Sequence, residues 1–150
     1  MEPAAPARPA NGGPERRMAN ATQDRNTPAR NTLAKSILVV EDDPDIAAYL
    51  VSLFRTNGYR ADAATEGPDA VEMARARRPD LVTLDLEMPR QWGPRVYREL
   101  MDLPGGAHIP VVLVTGLGGL HLMVPNAVGT VDKPFDPDLM LGIVRRALGE

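Results

Sequence analysis

Apolar runs in this sequence end repeatedly in side chains that can bind a cation or contact a phosphoryl group. Acids follow the runs 37–40 and 81–84, a threonine follows 111–114, and a lysine comes shortly after 127–131. If these runs are strands of one parallel sheet, their carboxyl ends meet at the edge where such sheets bind ligands. The side chains that we expect at this edge are Glu41, Asp42, Asp43, Asp85, Thr115 and Lys133.

Carboxylates gathered at one edge repel each other, so a cation is needed to keep them ionised. Mg²⁺ suits this set, because it prefers oxygen ligands and usually binds one or two carboxylates together with waters and phosphate oxygens. A softer metal lacks ligands, since the chain has no cysteine and its two histidines, His108 and His121, are isolated. A carboxylate-held metal beside a hydroxyl and an ammonium group favours phosphoryl transfer to a carboxylate nucleophile.

The elements that would position these residues alternate between strand and helix. Short apolar runs predict three strands, and weaker patterns predict two more; in chain order the five strands are 37–40, 59–63, 81–84, 111–114 and 127–131. Helical spacing of apolar residues predicts helices in the intervals and after the last strand. This alternation indicates parallel βαβ units. We therefore expect an α/β fold: a flavodoxin-like, doubly wound, five-stranded parallel sheet in the order 2-1-3-4-5, with helices on both faces.

A capping-type residue followed by proline marks four of the predicted helix starts, since proline at the first helical position loses no hydrogen bond. These dipeptides are Asp43-Pro44, Gly67-Pro68, Gly93-Pro94 and Asp136-Pro137. Asp43 is accordingly interpreted as the N-cap of the first helix rather than as a metal ligand.

Four motifs, in order, resemble the receiver domains of two-component response regulators. They are Leu38-Val39-Val40-Glu41-Asp42-Asp43-Pro44, Leu84-Asp85-Leu86-Glu87-Met88-Pro89, Val114-Thr115-Gly116 and Asp132-Lys133-Pro134-Phe135. The resemblance covers residues 36–149. Any one of these motifs alone is weak, but the four together in this order are highly specific for the family.

The resemblance implies a role for each residue at the predicted edge. Asp85 is implied as the phosphoacceptor, Thr115 as a hydrogen-bond donor to a phosphoryl oxygen, and Lys133 as the partner of the acceptor carboxylate. The implied Mg²⁺ ligands are Asp42, Asp85, the backbone carbonyl of Glu87 and, through water, Glu41. The family also implies a cis peptide bond before Pro134.

Two features depart from the family pattern. Seventeen residues separate Thr115 from Lys133, fewer than is usual, and the stretch 116–126 carries three glycines and a proline. We therefore expect helix 4 to be short or missing. Thr130 stands where most receivers carry Tyr or Phe, so the aromatic movement that accompanies phosphorylation in the family must be replaced or absent.

Charge and composition divide the chain in two. Residues 1–35 hold five prolines and few large apolar side chains, so we expect a disordered tail, with 36–150 forming the receiver domain. The tail carries six Lys/Arg and three Asp/Glu, whereas residues 36–150 carry eleven and seventeen. An acidic body argues against nucleic acid as the main partner. No apolar stretch is long enough to span a membrane and no secretory signal is visible, so a cytoplasmic location is expected.

The leading hypothesis is a stand-alone receiver that takes its phosphoryl group from a sensor histidine kinase or a phosphotransfer protein and controls an unidentified protein target. It would be a signalling domain with self-catalysed phosphotransfer rather than an enzyme, and a homodimer is compatible with it. One alternative is a pseudo-receiver that binds partners without phosphorylation. Another is a Mg²⁺ phosphohydrolase of the haloacid-dehalogenase type, which is disfavoured because its Asp-x-Asp motif should follow strand 1, where Glu41-Asp42-Asp43 stands.

Overall fold

Five strands form one parallel sheet in the order predicted from the sequence. A computed structural model describes residues 34–88, 91–116, 124 and 126–150, with the backbone alone at 91 and 92. The strands are β1 (Ser36–Val40), β2 (Arg60–Ala64), β3 (Leu81–Asp85), β4 (Val111–Thr115) and β5 (Gly129–Asp132). They lie side by side as β2-β1-β3-β4-β5, and every neighbouring pair is parallel. The predicted doubly wound arrangement is confirmed.

Helices cover both faces of this sheet. The described part of the chain contains α1 (Pro44–Thr56), α2 (Gly67–Arg77), α3 (Gly93–Met101) and α4 (Pro137–Ala147), together with a 3₁₀ turn at Gly106–His108. Because both faces are covered, β3 and β4 are buried at every position. This double burial explains why their sequences are continuous apolar runs rather than alternating patterns.

The core is divided into two clusters by the alternation of side chains along the strands. The cluster against α2 and α3 includes Leu38, Val40, Val82, Leu84, Ala70, Ala74, Val96 and Leu100. The cluster against α1 and α4 includes Ile37, Val39, Val112, Val114, Leu50, Phe54, Met140 and Val144. Successive residues of β1 thus belong to opposite clusters, which holds the carboxyl end of this strand from both sides.

The two aspartates predicted as helix caps have that role, whereas the two glycines do not. Asp43 accepts hydrogen bonds from the backbone amides of residues 45 and 46, and Asp136 accepts one from the amide of residue 138. Helices α2 and α3 instead begin at Gly67 and Gly93, one residue earlier than predicted. Glycine has no side-chain oxygen to hold it at the cap position, and proline is tolerated equally well one place further on.

The edge strands begin later than the sequence pattern predicts. The amide of Tyr59, the predicted start of strand 2, donates to the carbonyl of Phe54 and so closes the end of α1. Its ring packs edge to face against Phe54, with centroids 6.4 Å apart. The predicted start of strand 5, Ala127, donates in the same way to the carbonyl of Val124 in a turn. Local turn bonds take these residues out of the sheet.

Two of the expectations fall largely outside the described residues. They concern the disordered tail, 1–35, and the short or missing helix 4. In the region of helix 4, Val124 is described, and it is buried with the cluster against α2 and α3. Within the described ranges, no helix is long and apolar enough to cross a membrane.

The chain after Asp85 turns back and packs tightly against the start of α3. Glu87–Met88 pairs antiparallel with Gln91–Trp92, and α3 follows at once. A Cβ atom on Gly93 would lie 2.5 Å from the Cα of Leu86 and 2.7 Å from its carbonyl oxygen. Glycine is required here because a side chain would push the two backbone segments apart.

Gly93→Ala is expected to lower the free energy of unfolding by about 1–3 kcal/mol, because overpacking against backbone cannot be relieved by a rotamer change. Gly142→Ala is the matched control. Gly142 lies in α4 with nothing within 4 Å of an added Cβ, so alanine should raise stability by about 0.5–1 kcal/mol. Urea unfolding measures both variants, and equal stabilities would contradict the close approach at Leu86.

Candidate functional site

The predicted acidic residues meet at the carboxyl edge of the sheet. Glu41 and Asp42 follow β1, and Asp85 ends β3, the strand beside it. Carboxylate oxygens of these three residues all lie within 4.8 Å of one another. Glu41 and Asp85 are each only 1% exposed, and Asp42 is half-buried. The sheet order therefore produces the carboxylate cluster that the sequence predicted.

Lys133 reaches this cluster from the other side of β4. Its Nζ atom lies 3.1 Å from Oε2 of Glu41 and 3.3 Å from Oδ2 of Asp85. Its backbone amide donates to the carbonyl of Thr115, which anchors the lysine to the end of β4. The peptide bond between Lys133 and Pro134 is cis, as the resemblance implied. One ammonium group thus contacts two nearly inaccessible carboxylates.

One oxygen of each buried carboxylate accepts a backbone hydrogen bond, and the other does not. The amide of Glu87 donates to Oδ1 of Asp85 at 2.9 Å, and the amide of Asp43 donates to Oε1 of Glu41 at 3.3 Å. The remaining oxygens lie near Lys133 but accept no well-directed hydrogen bond from the described residues. A buried carboxylate oxygen that accepts no directed hydrogen bond is incompletely satisfied, so these two atoms can take a further positive ligand beside Lys133.

These oxygens fit Mg²⁺ by their chemistry. The set consists of carboxylates alone, and two of them carry a buried oxygen without a directed donor. A hard divalent ion would be held by Asp42 and Asp85, with Glu41 beside them and waters completing the shell. The contribution of the backbone carbonyl of Glu87 to this ligand set stays a prediction.

Burial changes the acidity of both inaccessible carboxyl groups. It raises the pKa of Glu41 to about 7, and repulsion from Asp85 acts in the same direction against the smaller effects of Lys133. Burial also raises the pKa of Asp85, although the hydrogen bond from Glu87 and the charge of Lys133 oppose it. Both groups are harder to ionise than free carboxylic acids, and a bound cation would offset that cost.

The pKa of Lys133 is subject to two opposing effects. Burial lowers the pKa of this lysine, but the charges of Asp85 and Glu41 outweigh it, so the pKa is raised overall. The ammonium form is therefore secure at neutral pH. One positive charge faces up to three negative ones, an imbalance that again favours a cation.

Thr115 and Glu87 form a second part of the site. The hydroxyl of Thr115 is buried, and it donates to Oε1 of Glu87 at 3.0 Å. The amide of Gly116 donates to the same oxygen. The family resemblance implied a role for the backbone carbonyl of Glu87, but none for its side chain or for Gly116. The one signal in the sequence for this contact is that Glu87, two residues past Asp85, has a long side chain.

The other candidates have separate roles. Asp43 is occupied as the cap of α1, in agreement with its interpretation. His108 lies at a groove of about 900 Å³ that shares no described lining residue with the carboxylate cluster; its lining includes Tyr97, Met101, Ile109 and Val128. Thr130 is exposed on β5, and His121 lies outside the described residues.

A parallel sheet in the order 2-1-3-4-5 with an acidic cluster, a threonine and a lysine at its carboxyl edge defines a CheY-like signalling domain. A family model described as a response regulator receiver domain matches residues 37–145. The chain belongs to this family, the receiver domains of two-component systems.

Relatives support the same assignment. Protein Rrf1 of Nitratidesulfovibrio vulgaris (strain Hildenborough) is 70% identical over 112 residues, which are 75% of this chain and 81% of Rrf1. The nitrogen assimilation regulatory protein NtrX of Azorhizobium caulinodans is 33% identical over 77% of this chain, which spans only 26% of NtrX. Similarity to NtrX therefore concerns one part of a longer protein.

A solved structure adds a comparison of the site. The receiver domain of sensor histidine kinase PA1611 from Pseudomonas aeruginosa PAO1 superposes with a TM-score of 0.71 at 26% identity, covering 78% of this chain and 99% of that one. It was crystallised with a magnesium ion coordinated in its active site cleft.

The metal-free protein is expected to lose stability as pH rises from 4.5, the ordinary pKa of a glutamate, to about 7. The pKa of Glu41 is raised on folding, so its contribution is complete below its ordinary pKa and disappears as pH passes about 7. Glu41→Gln should remove on the order of 1–3 kcal/mol of this decline. Urea unfolding in a chelator, at a series of pH values, compares the two proteins. Parallel pH profiles would contradict the role of Glu41.

Proposed function

We propose that this chain accepts a phosphoryl group on Asp85 in a Mg²⁺-dependent reaction and thereby controls a partner protein. The observation that carries the proposal is the geometry of Asp85: nearly inaccessible, 3.3 Å from Lys133, and clustered with Glu41 and Asp42. A carboxylate placed only for stability would not need two further acids beside it.

The transfer is a displacement at phosphorus. A carboxylate oxygen of Asp85 attacks the phosphorus atom of a phosphohistidine, a P–O bond forms, the P–N bond breaks, and the imidazole leaves. The product is an acyl phosphate on Asp85. Mg²⁺, when bound, neutralises charge on the transferring phosphoryl group.

The surrounding residues have distinct parts in this step. Lys133 lies next to Asp85 and can follow the negative charge from the carboxylate to the phosphoryl oxygens. Thr115 offers a buried hydroxyl that can donate to one of those oxygens. Asp42, being half-buried, would hold the metal where solvent and the phosphodonor can still reach it.

The donor and the target follow from the same chemistry. A sensor histidine kinase or a histidine phosphotransfer protein would supply the phosphoryl group in the cytoplasm. The signal would pass to a protein rather than to nucleic acid, because the receiver region is acidic.

Asp85→Asn is expected to abolish phosphorylation, because the amide is not a competent nucleophile. Wild-type protein incubated with Mg²⁺ and acetyl phosphate should gain the mass of one phosphoryl group, detected on the intact protein. Asp69→Asn, which removes an exposed carboxylate from α2, is the control and should behave as wild type. A gain that persists in Asp85→Asn would refute the assignment.

A phosphorylation-independent interaction module is the second candidate. It is favoured by the contact between Thr115 and Glu87, because the hydroxyl expected to meet a phosphoryl oxygen already donates to a carboxylate. A wild-type protein that takes up no phosphoryl group from acetyl phosphate or from a histidine phosphodonor would support this candidate instead.

Asp42→Asn is expected to weaken Mg²⁺ binding by about tenfold or more, the equivalent of one charge-assisted contact. Asp43→Asn is a closely matched control, since it removes the neighbouring charge while asparagine preserves the cap of α1. Calorimetric titration with Mg²⁺ measures both. Equal losses in the two variants would mean that general charge, not a ligand contact, sets the affinity.

A further inference from the structure

The side chain of Glu87 lies against two hydrogen-bond donors at the end of β4. One of its oxygens, Oε1, accepts from the hydroxyl of Thr115 at 3.0 Å and from the backbone amide of Gly116. Both oxygens of the Glu87 carboxylate lie close to Gly116: a Cβ added there would be 3.0 Å from Oε1 and 3.4 Å from Oε2. A hydroxyl and an amide therefore converge on one carboxylate oxygen.

This pair of donors is suited to an anionic oxygen in general. A carboxylate oxygen and a phosphoryl oxygen are both charged acceptors that take hydrogen bonds from N–H and O–H groups. The donors lie close to Asp85, because Asp85 is paired with Val114, the residue before Thr115, in the neighbouring strand. A group joined to Asp85 would meet the same donors that Glu87 now holds.

We infer that Glu87 is an internal competitor for the phosphoryl-oxygen position. In the resting protein its carboxylate occupies the donors of Thr115 and Gly116, and it must leave when a phosphoryl group enters. This inference rests on the proposed acceptance of a phosphoryl group by Asp85. The competition makes phosphorylation slower and the binding of phosphoryl analogues weaker than the acidic cluster alone would allow.

Glu87 is also joined through its backbone to a residue that can report the exchange. Glu87 is paired with Trp92 in the short antiparallel ladder, and Trp92 is the one tryptophan of the chain. Release of the carboxylate from Thr115 and Gly116 is therefore expected to change the fluorescence of this tryptophan. The intrinsic signal gives a readout of the exchange that does not depend on measuring phosphate.

The test compares the wild type with Glu87→Ala and with Glu72→Ala. Glu72 is an exposed carboxylate of α2 that pairs with Arg75, so its removal matches the change in net charge without touching the site. Three quantities are measured: the amide chemical shift of Gly116 in metal-free protein, the rate of phosphorylation by acetyl phosphate with Mg²⁺, and the affinity for beryllofluoride followed by tryptophan fluorescence.

The Gly116 amide signal is expected to move upfield in Glu87→Ala alone, because it loses a charged acceptor. Phosphorylation is expected to be about tenfold faster or more, and beryllofluoride binding tighter by a similar factor, since one charge-assisted hydrogen bond is worth that much. Glu87→Gln keeps the shape of the side chain and a neutral acceptor. Its phosphorylation rate and beryllofluoride affinity should therefore lie between those of the wild type and Glu87→Ala. This variant also serves as the comparison if the alanine variant folds poorly.

Two outcomes separate this inference from the proposed function. A mass gain on Asp85 at equal rates in wild type, Glu87→Ala and Glu87→Gln overturns the competition and leaves the phosphoacceptor assignment in place. An unmoved Gly116 signal overturns it as well. Failure of all of the proteins to take up a phosphoryl group overturns the proposed function, and the inference with it.

Discussion

The contact of one lysine with two buried carboxylates is the constraint on which the site depends. Glu41 and Asp85 are removed from water at the ends of neighbouring strands, and Lys133 is the cation that the described residues place against both. Removal of one partner of a buried charge set leaves the others uncompensated, which costs several kcal/mol. The strand order is therefore an electrostatic requirement as well as a packing solution.

The same contact leaves part of the negative charge of the site uncompensated. Lys133 offsets part of the negative charge, while burial makes both inaccessible carboxyl groups reluctant to ionise. A protein selected for stability alone would replace such groups with apolar side chains of similar size. The presence of these acids fits the proposed function, in which the site takes up a cation and a phosphoryl group at a cost in stability.

The sequence predicts the central elements well because burial on both faces leaves a strong local signal. The strands that end in Asp85 and Thr115 are continuous apolar runs, and the aspartate caps identify α1 and α4. The edge strands are less accurate, because turn bonds of Tyr59 and Ala127 compete with the ladder. The contact of the Glu87 side chain could not be predicted, since its direction depends on how the loop after β3 turns back.

The close approach of Gly93 to Leu86 has a mechanical meaning for this loop. The segment that follows Asp85 and the first turn of α3 touch through backbone, without a compliant side chain between them. Such a junction behaves as a rigid coupling, so a shift of the loop cannot be absorbed locally and must be shared with the helix. A movement of the backbone next to Asp85 would therefore be transmitted to the start of α3.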